Sequence, residues 1–199
     1  MPTSLLKRAT AAVAAYAAHP DPRAALANTV ALVIVSNQPF YPLYLWWAVS
    51  PEISPAWFTF LSTPFFAAVP AAMRRSTLLG RSLLLLAGIG NTLLCRATFG
   101  PGSGVEIFLL PCLVLATLLF PGRERIVALA FAGLAFGAYL LPAAMLGAPL
   151  HLYAPDEYAA LQRLNFLSAA SLVALIGWLV PAPDERTARR DETDRPGRT

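Results

Sequence analysis

Six apolar stretches, separated by short polar turns, occupy almost the whole of this 199-residue chain. Each approaches the ~20 residues that an α-helix needs to cross the hydrocarbon of a bilayer. Inside hydrocarbon every backbone N–H and C=O must find its partner within the protein, so open-ended runs of this kind adopt helices. The expected fold is therefore all-α: a polytopic membrane protein with six transmembrane helices. Hydrophobic residues make up 57% of the chain and charged residues 13%, whereas a soluble domain carries about a quarter charged residues. The lipid bilayer is the partner that such a surface requires.

The spans are expected at 24–49, 56–73, 77–97, 105–120, 126–146 and 164–180. Residues 1–23 precede them as a cytoplasmic segment. Leu5, Ala9, Ala12, Val13 and Tyr16 fall on one face there, as in a short helix lying on the membrane surface. The stretch is Ala-rich and only weakly apolar, which argues against a signal peptide. His19-Pro20-Asp21-Pro22 ends it. Pro155, Asp156 and Glu157 mark a helix start that runs on into the last span, with proline in the first turn and acids at the positive dipole end. The region 24–180 forms the bundle. The tail at 181–199 holds equal numbers of acids and bases without apolar periodicity, and is expected to be a disordered cytoplasmic segment.

Charge orients the bundle. Of the 15 basic residues, Lys7, Arg8, Arg23, Arg74, Arg75, Arg123, Arg125 and the five arginines of the tail fall on one side. Arg96 and Arg163 lie on the other, and Arg81 sits just inside the third span. By the positive-inside rule both termini are cytoplasmic. Tyr44, Trp46, Trp47 and Trp57 then mark the outer headgroup layer, and Trp178 the inner one. The basic residues are scattered over separate helix ends with no continuous patch, so the net charge of +4 does not imply nucleic acid.

Polar residues within the spans are the functional candidates. Ser36-Asn37-Gln38-Pro39 and Pro42 interrupt the first span, since proline removes backbone donors and kinks a helix. Asn37 and Gln38 at such a break either bind a solute or hydrogen-bond to neighbouring helices. Asn91, Arg96 and Glu106 form a second polar group, with an Arg96–Glu106 pair expected at the outer mouth because a carboxylate at the bilayer edge calls for a partner. Separate snorkelling of the two charges to water is the alternative. Pro64, Pro70, Pro111 and Pro142 add kinks, while Gly88, Gly90, Gly133 and Gly137 are candidates for close helix packing.

Catalytic signals are sparse. His19 and His151 lie outside the spans, so a histidine-built intramembrane metal site is not expected. The spans contain no lysine for a Schiff base, and Ser103 has no neighbouring base to activate it. Cys95 and Cys112 are expected at different depths, which disfavours a disulfide. No cofactor is implied.

The run Gly100-Pro-Gly-Ser103-Gly104-Val-Glu106-Ile-Phe108-Leu-Leu-Pro111, followed by Phe120 and Arg123-Glu-Arg125, resembles the fourth-helix signature of six-helix membrane domains that precede bacterial nucleotide cyclases and sensor histidine kinases. Ser36-Asn37-Gln38-Pro39-Phe40-Tyr41-Pro42 is similar to alphaproteobacterial members. The resemblance covers roughly 28–178 and implies a sensory or scaffolding unit of the bacterial inner membrane. No cyclase or kinase module follows Val180 in this sequence, so the output activity is not implied. Such a unit would work as a homodimer or with a membrane signalling partner, and a ligand would enter from outside near Asn37, Gln38, Asn91, Arg96 and Glu106. A small-solute or ion transporter using the broken first helix is the alternative. A lipid-modifying enzyme ranks below both, because clustered acids, histidines or a nucleophile–base pair are missing.

Overall fold

The structure is a computed structural model and describes residues 2–180. The expected tail at 181–199 lies outside these residues, as do the side chains of Leu5 and Ala9 on the expected face of the first helix.

Helix α1 spans Pro2–Ala17 and stops before His19-Pro20, as the sequence predicts. Asp21 then starts α2, Pro22–Asn37: its Oδ1 accepts the Arg23 N–H at 2.9 Å, and Pro22 sits in the first turn where its missing donor is harmless. A single 3₁₀ turn, Gln38–Phe40, carries the path into α3, Tyr41–Ala48. The interruption falls at Pro39, and the Tyr41 N–H reaches back only three residues to the Gln38 carbonyl.

The second segment begins as a long 3₁₀ stretch, Ser54–Ser62, and tightens into α4, Thr63–Arg75. Helix α5, Thr77–Phe99, follows after the lone Ser76, whose hydroxyl accepts the Leu79 N–H. A 3₁₀ entry at Val105–Phe108 leads into α6, Leu109–Leu119. Then come α7, Arg125–Leu140, and α8, Pro155–Leu179. Among the described residues, three segments are long and apolar enough to cross a membrane: Ser54–Arg75 with 22 residues, Thr77–Phe99 with 23 and Pro155–Leu179 with 25. Val105–Leu119 is apolar but shorter.

One expected boundary moves by six residues. Apolar content alone carries the fifth span to Leu146, whereas α7 ends at Leu140. Leu141 is extended, at φ −60° and ψ 124°, because the residue before Pro142 is driven out of the helical region. At ~1.5 Å per residue, the 16 residues of α7 reach about 24 Å, short of a ~30 Å hydrocarbon core without help from its flanks.

Packing divides into two clusters. The larger joins α2, α4, α5, α6, α7 and α8 around Val30, Phe66, Leu85, Leu119 and Ile176, toward the end that carries Arg74, Arg75, Arg123 and Arg125. This is the basic end. The smaller gathers Leu45, Ala56, Phe99, Val105, Tyr153 and Leu161 at the opposite, aromatic end. Outside the bundle, large apolar side chains stand free: Trp47 is 82% exposed and Trp178 87%. In water such a surface would aggregate, whereas lipid solvates it at no cost. Helix association in lipid then rests on close packing and hydrogen bonds rather than on apolar burial.

Glycines show where that packing is tightest. A Cβ on Gly80 would stand 2.7 Å from the Met73 Cα, so α4 and α5 meet backbone to backbone beside their Ser76 turn. One on Gly88 would stand 2.9 Å from the Cys112 Sγ, whereas Gly90, Gly133 and Gly137 face open space. Gly80→Ala is therefore expected to destabilise the protein by about 1–3 kcal/mol through overpacking. Gly133→Ala and Gly137→Ala should leave the thermal midpoint in detergent unchanged or slightly higher, since alanine is the better helix former.

Candidate functional site

The structure distributes the five sequence-predicted residues over two places. Asn37, Gln38 and Asn91 line a central cavity of about 670 Å³ among α2, α3, α5, α6 and α8. Arg96 and Glu106 instead line a shallow cleft at the aromatic end, between the entry to α6 and the end of α7.

Gln38 is buried and fully engaged. Its Nε2 donates to the Thr59 carbonyl at 3.0 Å and to the Ser62 Oγ at 2.7 Å, and its Oε1 accepts from the Thr63 hydroxyl at 2.7 Å. The amide thus fastens the 3₁₀ break of the first segment onto the 3₁₀-to-α transition of the second. Asn37, one residue earlier, is exposed at the cavity edge and makes no side-chain hydrogen bond among the described residues. Asn91 is half-buried; its Oδ1 lies 3.9 Å from the Cys95 Sγ. Cys95 and Cys112 are both free thiols, and both line the cavity.

The aromatic end of the cavity is closed by a polar and aromatic lid. The Tyr41 hydroxyl donates to Asn165 Oδ1 at 3.0 Å, and Asn165 Nδ2 donates to the Ser103 carbonyl at 3.0 Å. Ser103, fully buried, donates its hydroxyl to the Gly100 carbonyl at 2.6 Å and has no free role. Gly100 at φ 85° and Gly104 at φ 68° make the turn that delivers these carbonyls, a backbone shape that a side chain would strain. Above this layer the Tyr153 ring stacks on Phe99, and the Tyr153 and Tyr158 hydroxyls donate to the carbonyls of Glu52 and Phe99. Burial pushes the Tyr153 phenol above its usual range, and hydrogen bonds from Ser54 hold the half-buried Glu52 carboxyl below its own.

In the cleft, Arg96 Nε stands 2.8 Å from Glu106 Oε1, with both side chains largely buried. The N–H is not aimed at that oxygen, so the contact is an ion pair rather than a hydrogen bond. Arg96 has a second task that sequence reading missed. Its Nη1 donates to the carbonyls of Ala138, Tyr139 and Leu141, at 3.2, 3.4 and 2.8 Å, and caps the end of α7 where Pro142 stops it.

At the basic end, Arg81 is 4% exposed and gripped by Glu124. Nη1 and Nη2 contact the two carboxylate oxygens at 2.7 and 3.0 Å, in a fork-to-fork pair. Arg81 also donates to the carbonyls of Thr77 and Leu119, and its guanidinium lies 5.1 Å over the Phe120 ring. Glu124 escaped notice in the sequence because it stands between Arg123 and Arg125. The signal was present: a cation inside a span calls for a partner, and Glu124 is one of the acids at the same end.

Helix α1 is fastened there as well. The Tyr16 hydroxyl donates to the Ala67 carbonyl at 3.0 Å, and Arg74 donates to the Tyr16 carbonyl while lying 4.6 Å over its ring. Among the described residues no cluster of histidines, cysteines and acids is able to hold a metal ion. No protein-family profile, curated protein or solved structure matches this chain.

Proposed function

We propose that this chain is a six-helix sensory or scaffolding module of the bacterial inner membrane, with both termini in the cytoplasm. Its basic end, with Arg74, Arg75, Arg123 and Arg125, faces inward, and its aromatic end, with Trp46, Trp47 and Trp57, outward. The shorter helices α7 and α6 complete the bundle as spans with the help of their flanking turns. The observation that carries the sensory reading is the central cavity, whose walls come from α2, α3, α5, α6 and α8 at once. An occupant there touches helices that must move relative to one another if the bundle has two packings, and it biases them by its unequal affinity for the two.

The transport alternative gains less support. The broken first helix is the feature it relies on, and the Gln38 amide at that break is already engaged with Thr59, Ser62 and Thr63.

Two measurements test the proposal. Alkaline phosphatase fused after Ile53 is expected to be active, and inactive when fused after Arg75 or Arg123; the opposite pattern rejects the orientation. Grafted in place of the membrane domain of a sensor histidine kinase, residues 1–180 should give autophosphorylation that changes with the composition of the surrounding membrane. A constant output would reject sensing.

A further inference from the structure

The central cavity has a chemistry that narrows its occupant. Both of its ends are shut. The Tyr41–Asn165–Ser103 layer and the Phe99–Tyr153 stack close the aromatic end. Val30, Ala31, Phe66, Leu85, Leu119 and Ile176, each at most 1% exposed, fill the bundle toward the basic end. Its exposed lining residues are Ser36, Asn37, Phe40 and Tyr44 on one flank and Leu167 and Ser171 on the other. The mouth therefore opens sideways, between the α2–α3 path and α8.

None of the lining residues carries a formal charge. Several of the polar ones are already engaged: Gln38 with Thr59 and Ser62, Tyr41 with Asn165, Thr92 with the Gly88 carbonyl. Asn37, Ser168 and Ser171 make no side-chain hydrogen bond among the described residues, and neither does the Asn91 Nδ2. Amides and hydroxyls left unpaired beside hydrocarbon are costly, and a ligand oxygen would relieve that cost. The volume of about 670 Å³ falls among sites that hold a drug-sized molecule.

We infer that this cavity takes an uncharged lipid from the bilayer itself, entering between α2–α3 and α8. Its carbonyl or hydroxyl oxygens accept hydrogen bonds from the Asn37 and Asn91 amides, while its apolar body lies against Val33, Ile34, Leu172 and Leu175. An ion or charged solute is disfavoured twice, by the closed ends and by the lack of a countercharge. The inference rests on the reading above that α2 and α8 face hydrocarbon.

Cys95 and Cys112 provide the assay, because both thiols are free and both line the cavity. The full chain in phosphatidylcholine nanodiscs is treated with N-ethylmaleimide, and alkylation of each cysteine is followed by mass spectrometry. Decylubiquinone and dioctanoylglycerol serve as uncharged probes, with decanoate and decane as controls for charge and for the missing oxygen. At least one uncharged probe is expected to slow alkylation severalfold in a saturable way, with both controls inert. Asn37→Leu/Asn91→Leu should raise the concentration needed by about ten- to a hundredfold, the worth of two lost hydrogen bonds. A thermal midpoint equal to that of the parent protein shows that this variant is folded. If it is not, the comparison of probes on the parent protein decides alone. No protection by either uncharged probe, or equal protection by decane or decanoate, overturns the inference. Loss of protection with fusion topology and kinase-chimera response intact removes the lipid site and leaves the membrane module standing.

Discussion

Arg81→Met is expected to destabilise the protein by about 3–5 kcal/mol, because it strands the Glu124 carboxylate against the bundle and takes a side-chain donor away from the Thr77 and Leu119 carbonyls. The lower end of that range applies, since the Glu124 side chain is 34% exposed and water recovers part of the loss. Arg81→Met/Glu124→Leu should recover a large share of the stability, because a buried ion pair is often replaceable by apolar groups although breaking it from one side is not. Urea titration in mild detergent, comparing both single variants with the double, measures this. A double variant as unstable as the sum of the singles would show that the carbonyls, rather than the carboxylate, set the cost. Arg81→Lys separates the geometry from the charge: a point cation cannot span both carboxylate oxygens and two carbonyls, so about 1–2 kcal/mol should still be lost.

The second large effect is expected at Arg96. Arg96→Met leaves Glu106 without its cation and uncaps the last turn of α7, for a predicted loss of about 3 kcal/mol. Glu106→Gln removes only the ion pair and should lose about 1 kcal/mol, because the caps on Ala138, Tyr139 and Leu141 survive. The charge swap Arg96→Glu/Glu106→Arg is expected to fail as a rescue. It restores an opposite pair yet points a carboxylate at the carbonyls that end α7. Hydrogen exchange at the end of α7, near Tyr139, reports on the cap directly: protection should fall in Arg96→Met and persist in Glu106→Gln. Equal loss in both would remove the capping role.

These two arginines show how far a chain of this kind can be read before it folds. Arg96 and Glu106 stand ten positions apart across a short glycine turn, so their pairing follows from local geometry and the need of a charge for a partner. The capping of α7 by Arg96 connects residues more than 40 positions apart, and nothing in either segment points to the other. Gln38 makes the same point. Proline spacing locates the break in the first helix, and the amide beside it is visibly a candidate for helix packing or for ligand. Which of these it does depends on Thr59, Ser62 and Thr63 arriving at that break from another helix. Pro142 sets the end of α7 locally: the preference of its preceding residue for extended backbone ends the helix at Leu140 rather than Leu146.

Asn165 was not among the sequence candidates, yet it is fully buried and joins Tyr41 to the Ser103 carbonyl. A lone asparagine inside the last apolar run is a polar group that helix packing must satisfy, and that was the available clue. Its partners were unreadable, because Tyr41 lies 124 positions away.

What the amino-acid sequence determined alone was the class: helices, some of them long and apolar enough to cross a membrane, and a surface suited to lipid. Transfer of a side chain into hydrocarbon is a property of that side chain and sums along the chain, so no neighbour needs to be known. Caps at Asp21 and breaks at proline are similarly local, acting over a single turn. Only the tertiary structure decided that the five candidate residues divide between a sideways-opening cavity and a capped cleft, and that Arg81 is held by Glu124. Hydrogen bonds and ion pairs are directional and short-ranged, so their partners exist only after the helices have chosen their neighbours and their rotation.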